Sequence, residues 1–136
     1  MNDLEKLQSI LAASPKPACA ALLPFSIIDA SAEHGFVKVE FAPQPAFGNM
    51  FGNVQGGFAV AMLDLPISLA GFLKLQQWLP TIEVKTSFLA PLKLGTCIGE
   101  ATIIRAGKSI AFAEARLLGP DGQLAVHATA TLAVKH

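Results

Sequence analysis

Two glycines and one aspartate stand where their chemistry could serve a single reaction. Gly56 and Gly57 begin a long apolar stretch, and Asp64 lies inside it. The start of a helix presents unpaired amides and a partial positive charge, and glycine leaves those amides open to a carbonyl oxygen or an oxyanion. Such donors stabilise the oxyanion that develops in acyl transfer, although a glycine pair can equally serve close packing of a helix.

Asp64 is the candidate base or nucleophile. Residues 58–63 contain no polar side chain, and residues 65–67 are apolar as well. Because losing water is costly for an unpaired carboxylate, we expect that Asp64 is buried for a functional reason. The alternative is a structural acid that accepts a hydrogen bond from a backbone amide or a serine.

The spacing of these residues limits how they can cooperate. Gly56 and Asp64 are eight residues apart, which corresponds to about 12 Å along one helix axis. Hydrogen-bond and attack distances are about 3 Å, so one reacting carbonyl cannot contact both groups of the same helix. If both act on one substrate, they come from different subunits, as an antiparallel pair of these helices about a two-fold axis allows.

The elements that must position these residues follow from periodicity and turn signals. Spaced leucines predict a short helix over residues 3–12, and the apolar run predicts a long helix over 55–75 with Asn53 as its cap. Alternation bounded by turn residues predicts six strands, at 25–30, 36–41, 81–89, 96–105, 109–118 and 123–134. This order predicts one α+β domain over residues 1–136, with an antiparallel sheet wrapped around one long central helix.

Composition narrows the functional classes. The chain is 52% hydrophobic and 15% charged, which indicates that some apolar surface is buried between subunits. Ten basic and ten acidic residues cancel and no basic run occurs, so we expect no nucleic-acid partner. The most apolar window, 54–75, contains three glycines, Asp64 and Pro66, and the N-terminus carries acids. We therefore expect no membrane span, no signal peptide and a cytoplasmic location.

Cysteines and histidines give no sign of a metal centre. The two cysteines are far apart in sequence and the three histidines are scattered: Cys19, Cys97, His34, His127 and His136. We therefore predict no bound metal and interpret both cysteines as buried thiols in a reducing compartment. The sequence also lacks the Gly-x-Ser-x-Gly elbow of serine hydrolases.

Asn49, the run Gln55-Gly56-Gly57 and Asp64 together resemble the signature of the hotdog-fold acyl-CoA thioesterases of the phenylacetate-pathway (PaaI) type. The resemblance continues in family order through residues 81–95, 104–109 and 121–131. It implies the hotdog fold, dimers that pair edge to edge with two sites at their interface, and often tetramers of two dimers. It also implies hydrolysis of an acyl-CoA or aryl-CoA thioester to the free acid and CoA. Coenzyme A is then part of the substrate, and no separate cofactor is required.

The same resemblance implies roles for individual residues. The Gly56 amide polarises the thioester carbonyl, and Asn49 helps to orient the substrate or the attacking water. Asp64 of the opposite subunit attacks the carbonyl or activates water, and Thr81 lies where relatives carry a hydroxyl that positions that water. Further candidates for substrate binding are Gly57, Phe51, Phe88, Arg105 and Lys108. The rings could line an acyl or aryl pocket, and the two cations could meet the phosphates of CoA.

Gln55 departs from the family pattern, which usually has histidine before the two glycines. Glutamine can donate a hydrogen bond but does not titrate near neutrality. Activity is retained if this residue only donates a hydrogen bond, and it is lost or altered if the chemistry needs a proton there. A non-catalytic acyl-CoA-binding or sensing module is therefore the alternative function. A hotdog dehydratase or hydratase ranks below both, because no histidine lies near Asp64 in sequence.

Overall fold

The computed structural model describes residues 1–42 and 44–135. This part of the chain contains eight regular elements in the order that periodicity predicts. They are α1 (Asp3–Ala13), β1 (Phe25–Ser31), β2 (Phe36–Phe41), α2 (Gly56–Leu75), β3 (Thr81–Phe88), β4 (Cys97–Ala106), β5 (Ile110–Leu118) and β6 (Leu124–Ala133). The predicted helices and strands are thus confirmed to within two residues at each end. Two short 3-10 helices, Ala18–Leu22 and Pro45–Phe47, were not predicted.

The strands form one antiparallel sheet in the order β1-β2-β4-β5-β6-β3. β3 therefore pairs with neither β2 nor β4, its neighbours in chain order, and lies at the far edge of the sheet beside β6. The sheet curves around α2, which packs mainly on β4, β2 and β5. This is the hotdog fold, with the antiparallel sheet wrapped around one long helix as predicted.

The core lies between α2 and the concave face of the sheet. α2 buries side chains along most of its length, and β5 alternates strictly between buried and exposed residues from Ile110 to Leu117. Gly99 of β4 permits the closest approach, because an added Cβ would lie 2.9 Å from the Phe41 ring and 3.5 Å from Pro66. α2 is as long and apolar as a membrane-spanning helix, but half of that window is buried within the domain, as in a core helix.

The two edge strands of the sheet, β1 and β3, differ in their hydrogen-bond partners. At the β1 edge, side chains of α1 bind the backbone of the strand and of the turn after it: Gln8 Nε2 donates to the Ile27 carbonyl at 3.2 Å, and Asp3 Oδ2 accepts from the Ala32 amide at 2.8 Å. β3 pairs with β6 on one side, and no other described strand pairs with its outer side. An open edge of this kind is a template for pairing with another chain.

Candidate active site

Asn49 organises the loop that precedes α2. Its side-chain oxygen accepts hydrogen bonds from the amides of Phe51 at 2.9 Å and Asn53 at 3.1 Å. Its own amide donates to the Asn53 carbonyl at 2.7 Å. Gly52 takes a positive φ of 78° inside this ring of contacts, where glycine is unstrained. The Asn49 side-chain oxygen is thus engaged in the loop, and its NH2 group is the part that remains for a substrate or a water.

α2 begins with two amides that are not used by the fold. Gln55 is the N-cap, so the prediction that Asn53 caps this helix is wrong. The Gln55 carbonyl accepts from the amides of Phe58 and Ala59, which leaves those of Gly56 and Gly57 without an acceptor in the described residues. The Gln55 side chain is exposed and makes no capping hydrogen bond. The helix start is therefore open for a carbonyl oxygen or an oxyanion.

A groove of about 600 Å³ opens over this helix start. Its walls come from the 49–54 loop, from the first turns of α2 and from the segment after β3: Asn49, Phe51, Asn53, Val54, Gly56, Ala59, Phe88, Leu89, Ala90, Pro91 and Leu92. These lining residues carry no charged side chain, so the groove suits an uncharged apolar group.

Phe88 and Gly56 are in close contact in the lining of the groove. A Cβ built on Gly56 would lie 3.2 Å from the Phe88 ring, whereas one built on Gly57 would meet no atom within 4 Å. The ring therefore rests on the backbone of Gly56 and leaves Gly57 facing open space. Phe88 and Phe51 are 55% and 79% exposed, which leaves both rings available to a substrate or another subunit.

Asp64 lies away from this groove and has a hydroxyl partner. Thr81 Oγ1 donates to Asp64 Oδ1 at 3.0 Å. Asp64 is half-buried in the chain, less than its apolar neighbours in sequence suggested. One face of the carboxylate is fixed by Thr81, and the rest of the group remains accessible from outside the chain.

An irregularity in β3 aims Thr81 at Asp64. The pairing of β3 with β6 shifts between Thr81 and Glu83, as a β-bulge does. Thr81 then pairs with the buried Leu132, whereas Glu83 pairs with Thr131 on the outer face. Since directly opposite residues share a face of the sheet, the bulge turns Thr81 toward α2.

The structure thus divides the predicted site into two halves at opposite ends of β3. Gly56 lies against Phe88, the last residue of the strand, and Asp64 is bound by Thr81, the first residue. Gly56 and Asp64 themselves are about 12 Å apart along the axis of α2, since both lie on this one helix. Asn49, Gln55, Gly57 and Phe51 belong to the Gly56 half.

Arg105 and Lys108 belong to neither half within one chain. Arg105 pairs with Phe112 at the hairpin end of β4, and Lys108 follows in the turn before β5. Ala111, next to this hairpin, pairs with Leu132 of β6, and Leu132 pairs with Thr81 of β3. The hairpin therefore lies at the same end of the sheet as Thr81. Three strand spacings, about 14 Å, separate it from β3. A contact with substrate in the Gly56 groove would have to come from another subunit.

Several features near the site were not foreseen or were interpreted differently. Leu89, Ala90 and Leu92 line the groove, and Pro91 after a predicted strand was the available signal that the chain turns there. Phe47 and Phe58 stack on each other, with ring centroids 4.2 Å apart.

The cysteines lie outside the site and differ from each other. Cys97 is buried, and its burial raises the pKa of the thiol to about 11. Cys19 is exposed, so its predicted burial is wrong. Among the described residues, no group of three or more His, Cys, Asp or Glu side chains could hold a metal ion.

A comparison with models of protein families identifies the superfamily of this chain. The model of the thioesterase superfamily matches residues 51–126, which is more than half of the chain and includes Gly56, Asp64, Thr81 and Phe88. The chain therefore belongs to the thioesterase superfamily. Among curated proteins, none matches the chain significantly.

Solved structures agree with this assignment and with the PaaI-type resemblance. A protein of Ralstonia eutropha JMP134, described as a phenylacetic acid degradation-related thioesterase, is 31% identical with a TM-score of 0.85, over 94% of this chain and 98% of that one. The Escherichia coli PaaI protein is 16% identical with a TM-score of 0.84, over 98% and 94%. A Streptococcus mutans protein bound to acetyl-CoA is 19% identical with a TM-score of 0.75, over 82% and 89%. The last two show a shared fold.

Proposed function

We propose that this protein hydrolyses acyl-CoA or aryl-CoA thioesters to the free acid and CoA, at two sites shared between two subunits. The observation that carries the proposal is the division of the site along β3, with Gly56 at one end and Asp64 at the other. Neither half suffices, because an oxyanion donor and a base must reach the same carbonyl.

Pairing two copies of the open β3 edge joins the halves. In an antiparallel pair about a two-fold axis, the first residue of one strand lies beside the last residue of the other. Thr81 and Asp64 of the partner subunit then approach Phe88 and Gly56 of this one, and the arrangement occurs twice. The contrast with the β1 edge, where α1 supplies hydrogen bonds to the backbone, supports β3 as the edge that pairs.

The chemistry follows from the groups brought together. The acyl group lies in the uncharged groove, and its thioester oxygen accepts from the Gly56 amide at the start of α2. The partner's Asp64 either takes a proton from the attacking water or attacks the carbonyl itself and is released by water. The C–S bond breaks, CoA leaves as the thiol, and the oxygen of water remains in the acid. No other cofactor takes part.

The remaining candidate residues assist these steps. The partner's Thr81 holds one oxygen of Asp64, and the Asn49 NH2 group orients the substrate or the water. Gln55 donates a hydrogen bond at the groove mouth, and Phe51 and Gly57 contact the acyl group. Arg105 and Lys108 of another subunit contact the CoA phosphates at the protein rim.

A panel of acyl-CoA substrates tests the proposal. Short-chain, long-chain and aryl thioesters are incubated with the protein, and free thiol release is followed. We expect turnover on at least one apolar acyl group and a loss of roughly a hundredfold or more in Asp64→Asn, which keeps the size of the side chain. Tight binding of an acyl-CoA without hydrolysis would favour the sensing module instead.

A further inference from the structure

Two side chains of opposite charge, Glu83 and Lys85, lie on the outer face of β3. Glu83 and Lys85 are separated by one residue and therefore point to the same side of the strand, opposite Thr131 and Thr129 of β6. Both side chains are exposed. Within residues 1–42 and 44–135, neither takes part in an ion pair.

The positions of these charges favour one register of two paired β3 strands over the two neighbouring registers. Opposite residues of an antiparallel pair point to the same face, so the register changes in steps of two residues. With the two-fold axis at Val84, Glu83 lies opposite Lys85 of the partner subunit, and this pair forms twice. With the axis at Lys85 two lysines meet, and with the axis at Glu83 two glutamates meet. Like charges directly opposite each other destabilise a pair of strands.

We infer that β3 binds β3 of a second copy in the register centred on Val84, and that Glu83 and Lys85 select this register. The inference rests on the shared site proposed above, since it specifies how the two halves are aligned. On the face toward α2, the same register places the half-buried Val84 of one subunit against Val84 of the partner subunit. Ile82, which is 58% exposed, lies at either end of the contact.

The register matters for the reaction as well as for assembly. A slip to the next register moves one strand along the other by two residues, or about 7 Å. This displacement exceeds the hydrogen-bond and attack distances of about 3 Å that the Gly56 amide and the partner's Asp64 must satisfy together. Glu83 and Lys85 contact neither half of the site within a chain and act as positioning residues.

Charge reversal tests the inference through assembly and activity together. The full-length wild type, Glu83→Lys, Lys85→Glu and the double reversal Glu83→Lys/Lys85→Glu are compared by sedimentation equilibrium and by acyl-CoA hydrolysis. Glu40→Lys is the matched control, because it makes the same charge change at an exposed site on interior strand β2.

We expect each single reversal to raise the dimer dissociation constant by roughly tenfold or more, since two attractive pairs become repulsive. The double reversal restores attraction and should return the constant to within about threefold of wild type. An equimolar mixture of the two single variants should form heterodimers, because lysines of one chain then face glutamates of the other. Turnover per subunit should follow the same pattern, and Glu40→Lys should leave both quantities unchanged.

Other results overturn the inference. The inference is contradicted if the wild type is monomeric or if the single reversals dimerise as tightly as wild type. It is also contradicted if the double reversal has a higher dimer dissociation constant than either single variant. An effect of Glu40→Lys as large as that of Glu83→Lys would do the same. If the charge pattern holds for assembly while no variant hydrolyses any acyl-CoA, the register stands and the proposed hydrolase function fails. If hydrolysis is strong but assembly ignores the reversals, only the register fails.

Discussion

The hydroxyl of Thr81 donates a hydrogen bond to the carboxylate of Asp64 over 3.0 Å. The two residues are 17 apart in sequence and meet because a bulge at the start of β3 turns Thr81 toward α2. A carboxylate that holds a hydroxyl is fixed in orientation, and its second oxygen remains directed at other groups. This contact anchors the acidic half of the site at one end of an unpaired sheet edge.

The Thr81→Val variant should show how much of the activity depends on the orientation of Asp64, because it leaves the carboxylate itself in place. The variant keeps a β-branched side chain of similar shape but loses the donor, so kcat should fall by about fivefold to tenfold, the equivalent of one hydrogen bond. KM should change little, because Thr81 binds Asp64 and does not itself line the apolar groove. Steady-state kinetics check this, with Thr81→Ser as the control that retains the hydroxyl. Equal losses in both variants would show that packing, and not the hydrogen bond, is responsible.

Gly56→Pro should remove the proposed oxyanion donor without removing the helix. Gly56 is the first residue of α2, where proline is favoured, and Gln55 before it has an extended ψ of 135° that proline tolerates. We expect kcat to fall by roughly 10²–10³-fold. Gly56→Ala adds the same Cβ beside the Phe88 ring but keeps the amide, and it should lose far less. Circular dichroism confirms the fold, and a proline variant as active as the alanine variant would remove the amide from the mechanism.

Gln55 tests whether the residue before the glycines must titrate. Its side chain makes no capping hydrogen bond, so replacing it should not disturb the start of α2. Gln55→His should retain or raise the rate of thiol release, and Gln55→Ala should lower it by about fivefold, as expected for a lost hydrogen bond. Turnover that appears only in Gln55→His would instead identify the native chain as a binding module with an intact but silent site.

The two cysteines should differ sharply in reactivity. Burial raises the pKa of the Cys97 thiol to about 11, so a thiol reagent at pH 8 should modify the exposed Cys19 and leave Cys97 until the protein unfolds. Cys19→Ser should abolish the fast phase. Because the Cys97 pKa is about 11 in the folded state against 9.0 as its ordinary value, its contribution to stability is present below pH 9 and is lost as the pH rises toward 11. Fast modification of Cys97 in the folded chain would contradict this.

Local patterns predicted the fold well, because each element carries its own signal. Alternation in β2 and β5 and the uniformly apolar α2 define their elements without information from distant residues. The features that sequence reasoning missed depend on contacts between distant segments. Asn53 does not cap α2 because the chain continues to Gln55 before the helix begins, and the Asn53 backbone instead pairs with Asn49 in the preceding loop.

The candidate residues of the site could be named from the sequence, but their arrangement could not. The spacing along one helix already showed that Gly56 and Asp64 lie apart. That Gly56 contacts one end of β3 and Asp64 the other could be learned only from the structure. The bulge that aims Thr81 has no sequence signal, since residues 81–88 read as an ordinary strand. The distance of Arg105 from the groove likewise follows only from the strand order.

Complementation between two inactive variants tests the shared site most directly. Asp64→Asn and Gly56→Pro are co-expressed with different tags, and the heterodimer is isolated by two affinity steps. If each site combines Gly56 of one chain with Asp64 of the other, one of the two sites is intact, and the heterodimer should recover about half of the wild-type turnover. Each homodimer alone should remain inactive. A heterodimer as inactive as its parents would contradict the shared site and show that both groups act within one chain.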